Sequence, residues 1–97
     1  MKKLLTAALL LCAAGAYAAP DMDKYNRSCG VCHASGAANA PKTGDAATWE
    51  PRMAKGMDVL IASVQNGLNA MPPKGMCFDC SDEEYKALIE YMATAAE

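Results

Sequence analysis

Two Cys-x-x-Cys pairs stand out in the sequence, and the single histidine of the chain directly follows the first pair. Residues 29–33 read Cys-Gly-Val-Cys-His, and the second pair is Cys77 and Cys80. A small chain buries too little apolar surface to be stable on that basis alone, and it usually carries a disulfide, a metal or a cofactor as well. The two pairs therefore indicate where such a stabilising group is held.

The first eighteen residues have the pattern of a cleaved export signal. Lys2 and Lys3 precede an apolar run, and residues 16–18 read Ala-Tyr-Ala, which supplies small residues where a signal peptidase cuts. We expect cleavage after Ala18, because a cut one residue later would leave Pro20 directly after the scissile bond. The apolar run is shorter than the roughly 20 residues that span a bilayer, so we expect no permanent membrane anchor.

Removal of residues 1–18 leaves one domain of 79 residues, 19–97. Seven Lys and Arg then stand against eleven Asp and Glu, a net charge of −4. A negative domain is not attracted to nucleic-acid phosphates, which excludes DNA and RNA as partners. The full chain of 97 residues has a hydrophobic content of 53% and a charged content of 21%, which excludes a disordered chain. The export signal predicts a periplasmic location, where cysteines can be oxidised.

The domain has the pattern of short helices joined by loops. A first helix begins after Asp21 and runs through Cys29, and further helices are predicted at 45–55 and 58–66. We expect Pro51 in the first turn of the second helix, because a proline has no N–H to donate further along a helix. Strand patterns are almost absent, so the predicted fold class is all-α.

The last helix has the clearest signals. Ser81 and Glu84 have the spacing of a capping box, and the apolar side chains that follow lie on one helix face: Tyr85, Leu88, Ile89 and Met92. An amphipathic helix at each end of a small domain suggests that the two helices pack together. We expect Tyr25 to contact the stripe that contains Leu88 and Met92.

Residues 29–33 have the spacing that attaches a haem covalently. Cysteines at i and i+3 lie on the same side of a helical turn, where they can bond the two vinyl-bearing carbons along one edge of the porphyrin. His33 then lies under the ring as the proximal iron ligand. Gly30 and Val31 are expected to be spacers whose side chains matter little. The porphyrin would also serve as the interior that so short a chain cannot build.

Four cysteines also allow a zinc or iron–sulfur cage, with His33 as an incidental surface residue. The two pairs are separated by 44 residues, however, against roughly 15 to 20 in familiar cages of this type. Exported proteins also seldom depend on reduced cysteines. Covalent haem is therefore the preferred prediction.

Met71 stands out among the methionines as a candidate for the sixth ligand of the iron. It lies in residues 66–75, Asn-Gly-Leu-Asn-Ala-Met-Pro-Pro-Lys-Gly, where prolines fix the backbone and glycines let the loop cross a flat ring. Four other methionines lie on helical patterns, where methionine is more often core filler: Met22, Met53, Met57 and Met92. Spacing alone does not exclude Met76.

Taken together, these features resemble the small class I c-type cytochromes of the cytochrome c5 group, over nearly all of residues 19–97. The resemblance rests on the haem motif, residues 36–41, Gly44-Asp45 with Trp49 downstream, residues 66–75 and the second cysteine pair. It implies a class I cytochrome c fold, in which short helices surround one covalent haem and the terminal helices pack together.

The resemblance also implies roles for individual residues. Cys29 and Cys32 would form the thioether bonds to haem c, and His33 and Met71 would ligate its iron. Cys77 and Cys80 would form a disulfide. The carbonyl of Pro41 would accept the proton of the His33 imidazole.

Several further side chains are candidates for contacts around the haem. Trp49 is a candidate to donate its indole N–H to a haem propionate, with simple core packing as the alternative. Arg52 could offset propionate charge. Three lysines could border the haem edge and guide docking to an acidic partner, or could be solvated surface residues: Lys42, Lys55 and Lys74.

An iron with two protein ligands has no open position for a substrate, and one-electron exchange remains. The predicted function is therefore electron carriage, not enzymatic catalysis. A thioether ligand stabilises ferrous iron, which suits the oxidising end of a respiratory chain. The expected partners are redox proteins, such as a membrane-bound quinol-oxidising complex or a terminal oxidase or reductase. The chain is expected to be a monomer or a weak dimer.

Three alternatives remain at this stage. A haem catalyst or gas sensor would leave Met71 off the iron, and carbon monoxide would then bind readily. A structural module would use the four cysteines to hold a metal and would contain no covalent haem. A dedicated subunit of a larger oxidase or reductase would keep the haem but would not diffuse as a free carrier.

Overall fold

The computed structural model describes residues 19–95, and the predicted export signal of residues 1–18 lies outside them. This part of the chain contains five α-helices: α1 (Met22–Arg27), α2 (Cys29–His33), α3 (Ala46–Met53), α4 (Met57–Asn66) and α5 (Asp82–Thr94). Between residues 19 and 95 the only β-type pairing is an isolated bridge of Leu68 with Met71. None of the helices in this range has the length and hydropathy of a membrane span. The all-α prediction is confirmed.

The predicted first helix is divided at Ser28. The backbone of Ser28 has φ −134° and ψ −88°, outside the helical region. Its hydroxyl donates to the carbonyl of Lys24, and its N–H donates to the carbonyl of Tyr25 at 3.2 Å. The prediction of one helix running through Cys29 was therefore wrong. A serine side chain competes for the backbone carbonyl one turn earlier, and this competition ends α1 and starts α2 in a new direction.

This break brings α2 back against α1 at Gly30. A Cβ atom there would lie 2.8 Å from Cε2 of Tyr25 and 3.0 Å from its carbonyl oxygen. Tyr25 is buried and packs edge-to-face on Tyr91, with ring centroids 5.2 Å apart at 78°. The expectation that Gly30 is only a spacer was wrong, because the absence of a side chain permits this contact. The neighbouring Val31 is 54% exposed.

Pro51 lies in the second turn of α3, and the prediction that it would lie in the first turn was wrong. The helix begins directly after Asp45, whose carboxylate accepts hydrogen bonds from the Thr48 N–H at 3.4 Å and hydroxyl at 2.7 Å. This strong N-cap sets the start of the helix. Pro51 then leaves the carbonyl of Ala47 without its usual helical donor, and α3 ends two residues later at Met53.

The terminal helices pack together as predicted. Tyr25 of α1 belongs to the same buried cluster as Leu88 and Met92 of α5. Trp49, Ile89 and Ala93 complete this cluster. The loop before α3 is joined to the end of α5, because the Gly44 N–H donates to the Met92 carbonyl at 2.8 Å. The buried surface of the protein is therefore concentrated along one face of α5.

The predicted capping box begins α5. The Ser81 hydroxyl accepts from the Glu84 N–H at 3.1 Å, and the Glu84 carboxylate accepts from the Ser81 N–H at 2.8 Å. Two backbone donors that the helix cannot satisfy internally are thus paired.

Two basic side chains of α1 hold the start of α5 and the residues before it. Lys24 Nζ donates to the Glu84 carboxylate at 2.8 Å and to the Asp79 carbonyl at 2.9 Å. Arg27 donates two hydrogen bonds to the Asp79 carboxylate, at 2.9 and 3.0 Å. The hydrogen bonds from Lys24 and Arg27 lower the pKa values of Glu84 and Asp79 below their ordinary range.

The contact at Gly30 predicts a stability effect inside the Cys-x-x-Cys motif. Gly30→Ala should lower the free energy of unfolding by about 1 to 3 kcal/mol, because the new methyl group overlaps the Tyr25 backbone and ring. Val31→Ala is the matched control and should change it by less than about 0.5 kcal/mol. Urea unfolding of the haem-loaded protein measures both values. Equal effects of the two substitutions would contradict the packing role of Gly30.

The ion pairs between α1 and the α5 region predict a weakening in acid. Glu84 and Asp79 have lowered pKa values in the folded state, so their stabilisation is complete above the ordinary carboxyl pKa and is lost as the pH falls below about 5. The double variant Lys24→Met/Arg27→Met should therefore show a shallower acid decline of unfolding free energy. The effect should be small, because the carboxylates are solvated. Lys86→Met, which removes an exposed lysine of α5, should keep the wild-type pH profile.

Candidate haem-binding site

A cavity of about 470 Å³ lies between α2, α3, α4 and α5 and the loops that follow α2 and α4. Nine apolar residues between 19 and 95 are buried, and five of them line this cavity: Trp49, Tyr85, Leu88, Ile89 and Met92. Leu60 and Val64 of α4 extend the same apolar wall. The volume lies within the range of small-molecule and cofactor sites. The cavity thus lies at the centre of the apolar residues, in the place that packed side chains occupy in a larger domain.

Both cysteines of the first pair line the cavity as free thiols. They lie in α2, one helical turn apart, on the side that faces the cavity. Burial raises the pKa of the Cys29 thiol, and a contact with the Ser28 hydroxyl at 3.8 Å opposes this shift. The two sulfurs can therefore bond one edge of a porphyrin from the same helix.

His33, at the end of α2, has one ring nitrogen held by the loop that follows. Its Nδ1 donates to the carbonyl of Pro41 at 2.8 Å. Because a carbonyl only accepts, the proton lies on Nδ1, and the lone pair lies on Nε2. Burial lowers the pKa of His33, the bond to Pro41 opposes this shift, and the charge of Arg52 adds to it. A neutral imidazole with a free Nε2 is the form that ligates a metal.

Met71 and Met76 both line the cavity. The backbone of Met71 is held by two hydrogen bonds with Leu68, at 2.9 and 3.0 Å. Gly67 enters this turn with φ +88°, and a Cβ atom there would lie 3.1 Å from both the Met71 carbonyl oxygen and the nitrogen of Pro73. A glycine is therefore needed where the loop folds back on itself.

Cys77 and Cys80 form a disulfide, with sulfurs 2.03 Å apart. Cys77 is completely buried, and its carbonyl accepts a hydrogen bond from the Tyr85 hydroxyl at 2.9 Å. Its N–H donates to the carbonyl of Lys74 at 2.8 Å. The disulfide thus joins the end of the methionine loop to the residue that precedes the N-cap of α5.

Trp49 lines the cavity with its ring, 5.7 Å from the His33 ring between centroids. Its indole N–H donates to the carbonyl of Lys42 at 2.9 Å. This bond favours the core-packing alternative, because the single indole donor is used by the backbone, and the contact with a propionate stays a prediction. Arg52 also lines the cavity and donates to the Thr48 carbonyl at 2.7 Å.

The sequence prediction missed part of the cavity wall. Of the three lysines that we considered, Lys55 lines the cavity, and Lys42 and Lys74 do not. Tyr85 and Ile89 were expected only as helix-packing residues, yet both lie on the wall. The period of α5 predicts that they are buried, but it does not distinguish burial against a helix from burial against a cofactor.

The chain is similar to named proteins over most of its length. A family model described as "Cytochrome C oxidase, cbb3-type, subunit III" matches residues 19–92. Cytochrome c5 of Azotobacter vinelandii is 53% identical over 73 residues, which cover 73% of this chain and 88% of the relative. Cytochrome c5 of Ectopseudomonas mendocina is 43% identical over 81 residues, which cover 81% of this chain and 91% of the relative.

Two solved structures share the fold. A mono-heme ferrocytochrome c from Shewanella putrefaciens has a TM-score of 0.70 and 56% identity, covering 82% of this chain and 99% of that chain. A chain in the crystal structure of an electron transfer complex of nitrite reductase with cytochrome c has a TM-score of 0.69 and 45% identity. That match covers 78% of this chain and 93% of that chain.

Short helices around a cavity that carries a Cys-x-x-Cys-His motif define a class of protein, the mono-haem c-type cytochromes. The resemblance drawn from the sequence is confirmed by the similarities. The chain belongs to the cytochrome c5 family of these small electron carriers. It therefore binds one covalently attached c-type haem. The free thiols of Cys29 and Cys32 and the neutral imidazole of His33, on one apolar cavity, fit this group.

The bond from Trp49 to the Lys42 carbonyl predicts a loss of stability without a change in redox behaviour. Trp49→Phe should lower the free energy of unfolding by about 0.5 to 1.5 kcal/mol, because the hydrogen bond to the Lys42 carbonyl is lost while that carbonyl still accepts from the Asp45 N–H at 3.0 Å. The haem midpoint potential should stay near the wild-type value, since the indole N–H that is removed donates to the Lys42 carbonyl. Urea unfolding and a potentiometric titration test the two parts. A large shift in potential with unchanged stability would favour the propionate contact instead.

Proposed function

We propose that the protein is an exported carrier of single electrons in a respiratory chain, with its haem iron ligated by His33 and Met71. One observation carries the proposal. The cavity that is lined by the two free thiols of α2 is also lined by His33, whose Nε2 is free, and by Met71, whose backbone is fixed. These are the four attachments that a six-coordinate c-type haem needs.

Each of these residues has a separate task in the proposed site. Cys29 and Cys32 attach the cofactor to α2, and Pro41 fixes the tautomer and ring orientation of His33. Met71 supplies a thioether, which stabilises ferrous over ferric iron and so raises the reduction potential. When bound, the haem supplies one-electron redox chemistry at its iron. If His33 and Met71 both ligate the iron, no coordination site would be left open for a substrate.

The character of the cavity wall supports a carrier that is not an enzyme. Among the residues described, no Asp or Glu lines the cavity, and the single histidine on the wall has its Nδ1 proton held by Pro41. Of the other titratable side chains on the wall, the Tyr85 hydroxyl donates to the Cys77 carbonyl, and the thiols of Cys29 and Cys32 are the proposed attachment points of the haem. Arg52 and Lys55 are the charged residues on the wall, and both are cations.

We propose the periplasm as the location of the protein. The export pattern of residues 1–18 supports this location. The disulfide between Cys77 and Cys80 supports it independently, because disulfides persist in oxidising compartments. In this compartment the proposed partners are a membrane-bound quinol-oxidising complex and a terminal oxidase or reductase. The similar chain in the complex of nitrite reductase with cytochrome c supports a reductase as one partner.

A second candidate function is that of a dedicated subunit of an oxidase. The description of the matched family, subunit III of a cbb3-type oxidase, favours it. Fractionation of cells separates the two candidates. A free carrier is recovered in the periplasmic extract, whereas a dedicated subunit stays with a membrane complex through salt washing and is released with it by detergent.

Ligation by Met71 predicts a specific spectroscopic change. Met71→Ala should abolish the long-wavelength Met-to-iron band of the oxidised protein, because the thioether is removed. The iron should become high-spin and bind carbon monoxide at neutral pH. Met76→Ala is the matched control, since it removes a second thioether of the same cavity, and it should retain the band. Absorption spectra of protein exported with the haem attachment machinery measure these changes.

The same preparations test the rest of the proposal. Acid–acetone extraction should leave the haem on the protein in the wild type and in both variants. Extractable haem would contradict attachment through Cys29 and Cys32. Covalent haem with a high-spin, carbon monoxide-binding iron in the wild type would indicate a sensor or catalyst. Loss of the band in Met76→Ala but not in Met71→Ala would assign the sixth ligand to Met76.

A further inference from the structure

The turn that follows Met71 has an unusual backbone. Three consecutive residues lie in the left-handed region: Lys74 with φ +67°, Gly75 with φ +55° and Met76 with φ +69°. Hydrogen bonds from Gly75 N–H to the Pro72 carbonyl at 2.9 Å and from Cys77 N–H to the Lys74 carbonyl at 2.8 Å close the turn. Left-handed backbone is unfavourable for a residue with a Cβ atom, and glycine adopts it without this cost. A methionine at position 76 is therefore strained.

The side chain of Met76 forms part of the boundary between the cavity and the solvent. It lines the cavity and is 36% exposed. Lys74 has the same backbone conformation in the same turn, but it does not line the cavity. The two residues thus separate two effects, because both have a strained backbone and, of the two, Met76 alone lies on the wall.

We propose that Met76 shields the haem from water at the mouth of the cavity and thereby raises the reduction potential. The apolar shell around a metal centre controls its access to water, and hence its potential. Ferric haem carries one more positive charge than ferrous haem, so water favours the ferric state and lowers the potential. A glycine at position 76 would relax the turn but would leave this part of the mouth open. The inference rests on the proposed function, since it requires an electron-carrying haem in this cavity.

Replacement of Met76 by glycine should lower the reduction potential without lowering the free energy of unfolding. Met76→Gly relieves backbone strain, so the free energy of unfolding should remain near the wild-type value or rise. The ratio of oxidised to reduced protein at a fixed applied potential should increase about three- to tenfold, where tenfold corresponds to 59 mV for one electron. Potentiometric titration and urea unfolding of the haem-loaded protein measure the two quantities. The Met-to-iron band should persist, because Met71 is unchanged.

Three further variants identify the cause of such a shift. Lys74→Gly relieves the same strain away from the cavity and should change the ratio less than twofold, since the lost charge is exposed and screened by salt. Met76→Leu keeps an apolar side chain and should retain the wild-type potential. Met76→Gln keeps the length and the strain but carries a polar end, and it should lower the potential. The glutamine variant decides the question if Met76→Gly does not fold.

Two results would overturn the inference. One is a wild-type potential in both Met76→Gly and Met76→Gln. The other is a shift in Lys74→Gly as large as that in Met76→Gly, which would attribute the effect to the backbone of the turn. Absence of the Met-to-iron band in the wild-type protein would instead contradict the proposed function. The two failures are therefore distinguished by the wild-type spectrum.

Discussion

The small size of the core is the constraint on which this structure depends. Leu88 and Cys77 are the largest side chains that are fully buried, and most of the other buried apolar residues face the cavity. A protein interior normally packs without voids of this size. The apolar faces of α4 and α5 therefore have no partner within the chain where they line the cavity, and a haem supplies one. Cofactor attachment and stable folding are consequently coupled, since an attached haem can bury its apolar surface against these faces only when the chain is folded.

The interface of α1 with α5 determines how α2, which carries His33, is positioned relative to the loop that carries Met71. Gly30 packs on Tyr25, which fixes α2 and its histidine against α1. The disulfide fixes the methionine loop to the residues that precede α5. Lys24 and Arg27 then join α1 to these same residues. The two predicted iron ligands thus belong to segments that are tied to each other through the terminal helices.

Local signals explain what could be predicted from the sequence. The capping box at Ser81 and the motif at residues 29–33 depend on side chains a few residues apart, and both were interpreted correctly without knowledge of the fold. The break at Ser28 and the partner of the Trp49 indole depend on which backbone carbonyl lies within reach. In both cases several backbone carbonyls compete as acceptors, and the spacing of residues along the chain does not show which of them accepts the hydrogen bond. The prediction that Pro51 lies in the first turn of its helix was wrong for a related reason. The N-cap at Asp45 fixed the start of α3, and it outweighed the backbone hydrogen bond that the proline cannot donate.

The two sides of the cavity are built by different physical means. His33 belongs to a helix, and its ring and carbonyl are both bonded to the loop that follows, at Pro41 and Thr43. Met71 belongs to a loop in which several residues have left-handed backbone, and a disulfide holds the end of that loop. Local helical bonds keep a side chain in place even when distant contacts weaken, whereas such a loop depends on those contacts. Disturbance of the α1–α5 interface should therefore affect the methionine side of the haem before the histidine side.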